Sequence, residues 1–132
     1  MIPKFRVWLP NPDVERMLRV KALVFEHDKT RCVCGYAYDF YLGDEDAILM
    51  QSTGLKDKNG KEIFEGDVIA IEVDDTETPI NARVFQNSKI GILMFHVFEG
   101  NEDVPMVELL EDNSVAFEII GNIYENPELL EV

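Results

Sequence analysis

Along this chain apolar positions recur mostly at intervals of two, in short runs closed off by Pro, Asn, Asp and Gly. FRVWL (5–9) sets Phe5, Val7 and Leu9 against Arg6 and Trp8, the pattern of a half-buried strand. PNPD (10–13) cannot extend it, because its prolines lack an N–H donor and Asn and Asp favour turns. RMLRVKALVFEHD (16–28) puts Leu18, Val20, Ala22 and Val24 on one parity and Arg19, Lys21 and Leu23 on the other, which predicts a first hairpin. TRCVCGYAYDFYL (30–42) is rich in β-formers and reads as one third strand, broken only by Gly35 at a bulge or close approach. GDED (43–46) turns the chain, and AILMQSTGL (47–55) is a short apolar strand or a single helical turn, which periodicity cannot separate at that length.

Asn59-Gly60 predicts a type I′ turn, with positive φ at both residues. FEGDVIAIEVDD (64–75) turns at Gly66 and then runs almost wholly apolar from Val68 to Val73, as a strand buried on both faces does. TETPIN (76–81) is a loop, and ARVFQ (82–86), GILMFHVFE (91–99) and SVAFEIIGNIYE (114–125) supply three more strands. GNEDVPMVELLEDN (100–113) reads as a loop with room for a helical turn, and Asn126-Pro127 as the cap and first residue of a short terminal helix. Many short strands with at most short helices predict a mainly β barrel or roll, with α+β as the alternative.

With 132 residues, 46% of them apolar, the chain is sized for one domain with a real core. No apolar run approaches a membrane span, and no apolar stretch follows the two cations of MIPKFRVW, so a cytoplasmic protein with no membrane partner is expected. Charge is unevenly laid out. Residues 1–65 hold 10 Lys and Arg against 11 Asp and Glu, whereas residues 66–132 hold 2 against 15. That acidic half repels phosphate backbones, which argues against nucleic-acid or anionic-membrane binding through it; solubility or a basic protein partner remains.

ILMQSTGLKDKNGKEIFEGDVI (48–69), IIGNIYENPELLE (119–131) and the opening IPKFRVW (2–8) carry a family pattern. The chain resembles the YopX family of small phage and prophage proteins, with its Q-x-T-G-L-x-D-x-N-G-x-x-I-[YF]-E-G-D core and its G-N-I-[YH]-E-N-P-E-L ending. Departures lie in LPNPDVERML, longer than the family pattern, and in the acidic loops after Asp74. The resemblance implies an N-terminal β lobe (1–53), an SH3-type barrel (54–132) opened by the EGD segment, and action in the cytoplasm of a bacterial host. It implies no activity.

Each motif position has a structural use. Gly54, Gly60 and Gly66 suit turns, Asp57 and Asn59 can bond the backbone of their own loop, and Glu65-Gly66-Asp67 can fix where the barrel begins. Lys56, Lys58 and Lys61 would then project from a rigid loop toward Glu62, Glu65 or the acidic half of a neighbouring copy, a dipolar surface that favours a homo-oligomer.

Reactive clusters are thin. Cys32 and Cys34, one residue apart, are too close for an unstrained disulfide, and no second pair completes a zinc site. His96 has no nucleophile marked beside it. Asp44-Glu45-Asp46, Asp74-Asp75 and Glu102-Asp103 lack EF-hand spacing, and TGLKDKNGK lacks the order of a phosphate loop. No catalytic residue, cofactor or metal is therefore expected. Trp8, Phe5, Tyr36, Tyr38 and Tyr41 with Lys4, Arg6, Arg19 and Arg31 make a small basic, aromatic zone, the alternative nucleic-acid-binding surface. The leading expectation is a non-enzymatic phage accessory protein that self-associates and binds a host or phage protein.

Overall fold

The computed structural model describes residues 4–35, 38–73, 78–110 and 114–130. Among them the chain forms twelve strands, one short α-helix and one 3-10 turn: β1 (Phe5–Leu9), β2 (Arg16–Arg19), β3 (Ala22–Phe25), β4 (Thr30–Gly35), β5 (Tyr38–Tyr41), β6 (Ile48–Lys56), β7 (Glu62–Phe64), β8 (Asp67–Val73), β9 (Ile80–Asn87), β10 (Ile92–Val97), β11 (Glu102–Pro105), α1 (Met106–Leu110), β12 (Val115–Asn122) and the 3-10 turn Pro127–Leu130. The fold is mainly β, built of antiparallel sheets with a lone short α-helix. Two compact units divide the chain, residues 1–52 and 53–132.

In the first unit β1 pairs antiparallel with β2, from Arg6 opposite Arg19 to Leu9 opposite Arg16, and with the start of β6. The alternation of FRVWL is visible in burial, with Val7 and Leu9 buried. The long segment 16–28 is not one strand. Val20 donates its N–H to Phe5 at 3.1 Å and Lys21 donates to Val33 at 2.8 Å, so adjacent residues serve two different sheets. An unbroken parity cannot reveal this break, because the chain changes partners without a turn residue. Segment 30–42, expected as one strand, is also two: β4 and β5 pair with each other, Arg31 opposite Tyr41, with a bulge before Gly35 opposite Tyr38. The bulge expected at Gly35 is present, and the chain also reverses between β4 and β5, so the segment is two strands and not one. With β3 they make a three-stranded sheet ordered β3-β4-β5.

β6 settles as a strand and runs on across residue 52; beyond it, its second half lies beside β7 in the second unit. That unit is dominated by a five-stranded antiparallel sheet ordered β11-β10-β9-β8-β12. β8 is its heart, buried continuously from Asp67 to Ile71 as its apolar run requires. Ile63, Ile69, Ile71, Ala82, Val84, Phe95, Met106 and Phe117 form the core. Phe95 and Phe117 lean together with ring centroids 5.5 Å apart. At about 25 cal/mol per Å² of apolar surface, burial of such side chains is the main stabilising term for a unit this size.

The segment expected at 100–113 as a loop with room for a helical turn does hold a short helix, α1, but also a strand, β11. β11 pairs with β10 from Val97 opposite Glu102 to Met94 opposite Pro105. Its sequence, EDVP, carries two acids and a proline that argue against a strand, and the neighbouring β10 overrides that local preference.

Candidate functional site

The TGLKDKNGK segment and its surroundings fold into one hydrogen-bonded node. Thr53 Oγ1 donates to the Ile63 carbonyl at 2.8 Å and accepts the Leu55 N–H at 3.1 Å, gripping the chain on both sides of Gly54. Gly54 lies within β6, with φ 81°, and not in a turn. The turn itself is closed by the Gly60 N–H to the Asp57 carbonyl at 3.0 Å and by the Asp57 N–H to the Lys61 carbonyl at 2.8 Å.

Asp57 organises that turn from inside. Its Oδ1 accepts the N–H groups of Asn59 and Lys61, each at 2.9 Å, and its Oδ2 accepts the N–H of Ile119 in β12 at 3.0 Å. Burial pushes this carboxyl up, but the amides of Ile119, Lys61 and Asn59, with the Lys61 cation nearby, outweigh it and hold Asp57 below the ordinary aspartate value. The expected type I′ geometry is absent: of Asn59 and Gly60 only Gly60, at φ 82°, is left-handed. Asn59, its amide bonded to Asp57, is not left-handed: the turn closed from Gly60 to Asp57 has Lys58 and Asn59 at its centre, and Gly60 supplies the left-handed residue that follows them.

The same loop covers a sheet edge. β12 ends the five-stranded sheet, and an open edge is a template for unwanted pairing. Here the Lys58 N–H takes the Phe117 carbonyl at 2.8 Å while Asp57 takes the Ile119 N–H. Lys58 Nζ then bridges Glu72 of β8 and Glu118 of β12, at 2.8 and 3.2 Å. Those two carboxylates, Glu72 first, raise the lysine's pKa.

A second node joins the EGD turn to the chain's last motif. Gly66 donates to the Val84 carbonyl at 2.8 Å and accepts the Ile123 N–H at 2.9 Å. Asp67, buried at the start of β8, accepts the Phe64 N–H at 2.8 Å. Asn122 stands opposite Asp67. Its Oδ1 accepts from Tyr124 and Glu125, at 3.0 and 2.8 Å, while Asn126 Oδ1 turns back to the Asn122 N–H at 3.2 Å. The short terminal helix expected after Asn126 is the 3-10 turn that begins at Pro127, and the Asn126 backbone carbonyl accepts the Leu129 N–H at 3.0 Å; the Asn126 side chain does not cap it but serves the strand end. A Cβ on Gly121 would lie 2.5 Å from Asn126 Oδ1, so this packing needs a glycine.

Motifs separated by half the chain thus meet through backbone bonds, and they are the ones a family model described as YopX protein spans when it matches residues 4–131. The chain belongs to the YopX family. Two solved structures are similar along their whole length. Protein EF1440 from Enterococcus faecalis shares 26% identity at a TM-score of 0.65, covering 99% of both chains. Protein yopX from Bacillus subtilis shares 22% identity at a TM-score of 0.67, covering 97% of this chain and 98% of that one. No curated protein matches.

In this YopX-family chain the remaining candidates fall apart spatially or serve the scaffold. Lys56 and Lys61 are exposed at the ends of the loop, and Glu65 is half-buried in the EGD turn. Cys32 and Cys34 are free thiols with sulfurs 3.7 Å apart; burial, then the neighbouring thiol, pushes Cys32 up to about 12. His96 faces its cross-strand neighbour Asp103, Nδ1 to Oδ1 2.6 Å, as an edge pair on β10 and β11. Trp8 stands on β1 and Tyr38 and Tyr41 on β5, in separate sheets; Tyr36 lies outside the described residues. Arg31 is taken up by Asp39 at 2.9 Å and Glu26 at 3.0 Å, which raise its pKa and neutralise a cation of the basic zone.

Asp44, Glu45 and Asp46 face Pro10, Asn11 and Pro12 across an open hollow of about 480 Å³, while Asp74-Asp75 lie outside the described residues. Among the described residues no three His, Cys, Asp or Glu side chains converge as metal ligands, and no helix is long and apolar enough to cross a membrane. Sequence reasoning passes over Thr53, Gly121, Asn122 and Asn126 as site residues. A threonine before a glycine inside a strand, and two asparagines four residues apart around a turn, are the available signals.

Proposed function

We propose that the chain is a non-enzymatic phage or prophage accessory protein of the bacterial cytoplasm that works by contact, associating with itself and with a host or phage protein. One observation carries this. Of the eight large apolar side chains exposed among the described residues, six (Ile90, Ile92, Val107, Leu110, Ile120 and Leu130) lie in residues 66–132, the stretch with 2 cations and 15 acids. Apolar contact points within a charged surround are how protein interfaces are composed, and an acidic surround selects a basic partner. Self-association fits the same layout: Lys56 and Lys61 stand out from the rigid loop as cations for the acidic surface of another copy.

Light scattering during gel filtration, at low and at high salt, tests the assembly. Oligomers that grow with concentration and dissociate in salt are expected, because exposed charges are screened. A monomer at every concentration and salt level rejects self-association.

A further inference from the structure

α1 is a five-residue helix with apolar side chains on both faces. Met106 is buried and Leu109 packs against the core, three residues on, while Val107 and Leu110, also three apart, are exposed by 56% and 39%. A surface helix ordinarily turns polar residues outward; here only Glu108 does. The patch extends onto β10. From the cross-strand pair Met94–Pro105, Ile92 on β10 and Val107 on α1 are each two residues further on in the same direction, and α1 packs beside β10. Ile92 is 40% exposed, and Ile90 in the preceding turn is 61% exposed.

We infer that this outer face of α1, with Ile92, docks a basic amphipathic segment of a partner protein, which names the partner chemistry of the contact function proposed above and rests on it. Charge decides the occupant. Glu108 lies within the patch and Glu102 and Asp103 on the adjoining β11, so three carboxylates stand against two nearby cations among the described residues, Lys89 and Arg83, the latter opposite His96. A second copy meeting this face symmetrically would set those carboxylates against their own duplicates, as any isologous contact must. A helix with Leu on one side and Lys on the other meets the apolar strip and the carboxylates together.

The probe is a fluorescein-labelled peptide of leucine and lysine at helical spacing, followed by anisotropy at low salt. Val107→Ser/Leu110→Ser should weaken its binding about tenfold, as loss of central anchors does, and Ile92→Lys should weaken it further by repulsion. Phe25→Ser, an exposed site in the other unit, should leave it unchanged. Circular dichroism shows that each variant is folded. The inference is overturned if the α1 variant binds as the parent does, if Phe25→Ser weakens binding equally, or if the parent does not bind. It is equally overturned if Val107→Ser/Leu110→Ser dissolves a salt-resistant dimer, which would give the face to a second copy. Salt-dependent assembly, followed by light scattering on the parent chain, tests the contact function separately from this docking face.

Discussion

The carboxylate of Asp57 accepts the backbone N–H of Ile119 at 3.0 Å across 62 residues of sequence. That bond fastens a loop in the first half of the chain to an edge strand near its end.

Removing the carboxylate leaves the amides of Asn59, Lys61 and Ile119 without their acceptor. Asp57→Ala should cost about 3 kcal/mol, since each orphaned buried donor costs about 1–3 kcal/mol and the loop can partly relax toward water. Urea unfolding should show a lower midpoint with little change in slope. A midpoint equal to the parent's would mean that the loop does not hold the edge.

The same group makes stability depend on acid. Its folded pKa is depressed, so its contribution is fully present above the unfolded value, about 3.9, and is lost as pH falls from there through the folded value. Stability measured from neutral pH downward should hold until about pH 4–5 and then decline. Asp57→Asn should flatten that decline, because an amide does not titrate.

Gly121→Ala forces a methyl group against Asn126 Oδ1 and Leu129 Cδ1, at 2.5 and 2.8 Å. A loss of about 1–3 kcal/mol is expected from overpacking. Adding Asn126→Ala should recover part of it by opening the space, although the Asn122 N–H then loses its acceptor. A double-mutant cycle reads this coupling, and strict additivity would refute the clash.

Lys58→Met removes the bridge to Glu72 and Glu118 but keeps the loop's backbone bonds. The expected change is small beside that of Asp57→Ala, because exposed ion pairs contribute little. The parent's small advantage over the variant should shrink as salt is added, because salt screens both the bridge and the repulsion left between Glu72 and Glu118.

Thiol labelling should be slow in the folded protein. With Cys32 pushed up to about 12 and Cys34 also raised by burial, little thiolate exists at pH 8. Mass spectrometry after timed alkylation should find both cysteines modified fast only in denaturant.

Legibility from sequence depends here on whether the cause of a feature is local. β8 can be read because its apolar run is continuous, and β1 because its alternation matches burial. The break at Val20-Lys21 cannot, since two different sheets set it and the parity runs through it undisturbed. β11 is hidden because Glu102, Asp103 and Pro105 suit a loop, and only β10 makes them a strand. At the candidate site the turn residues Asp57 to Gly60 announce a reversal, but the choice of turn rests on the reach of one carboxylate to β12. The exposed face of α1 is equally hidden: MVELL shows that a helix is apolar, not which side meets water.

The order of the strands also bears on synthesis. β8 takes its neighbours from β9 and from β12, and β12 leaves the ribosome after every other strand of that sheet. Until then β8, which the finished fold buries continuously from Asp67 to Ile71, has one flank open, and the sheet stays in an incomplete, adhesive form. A nascent chain halted before residue 115 should therefore be the species that chaperones hold longest.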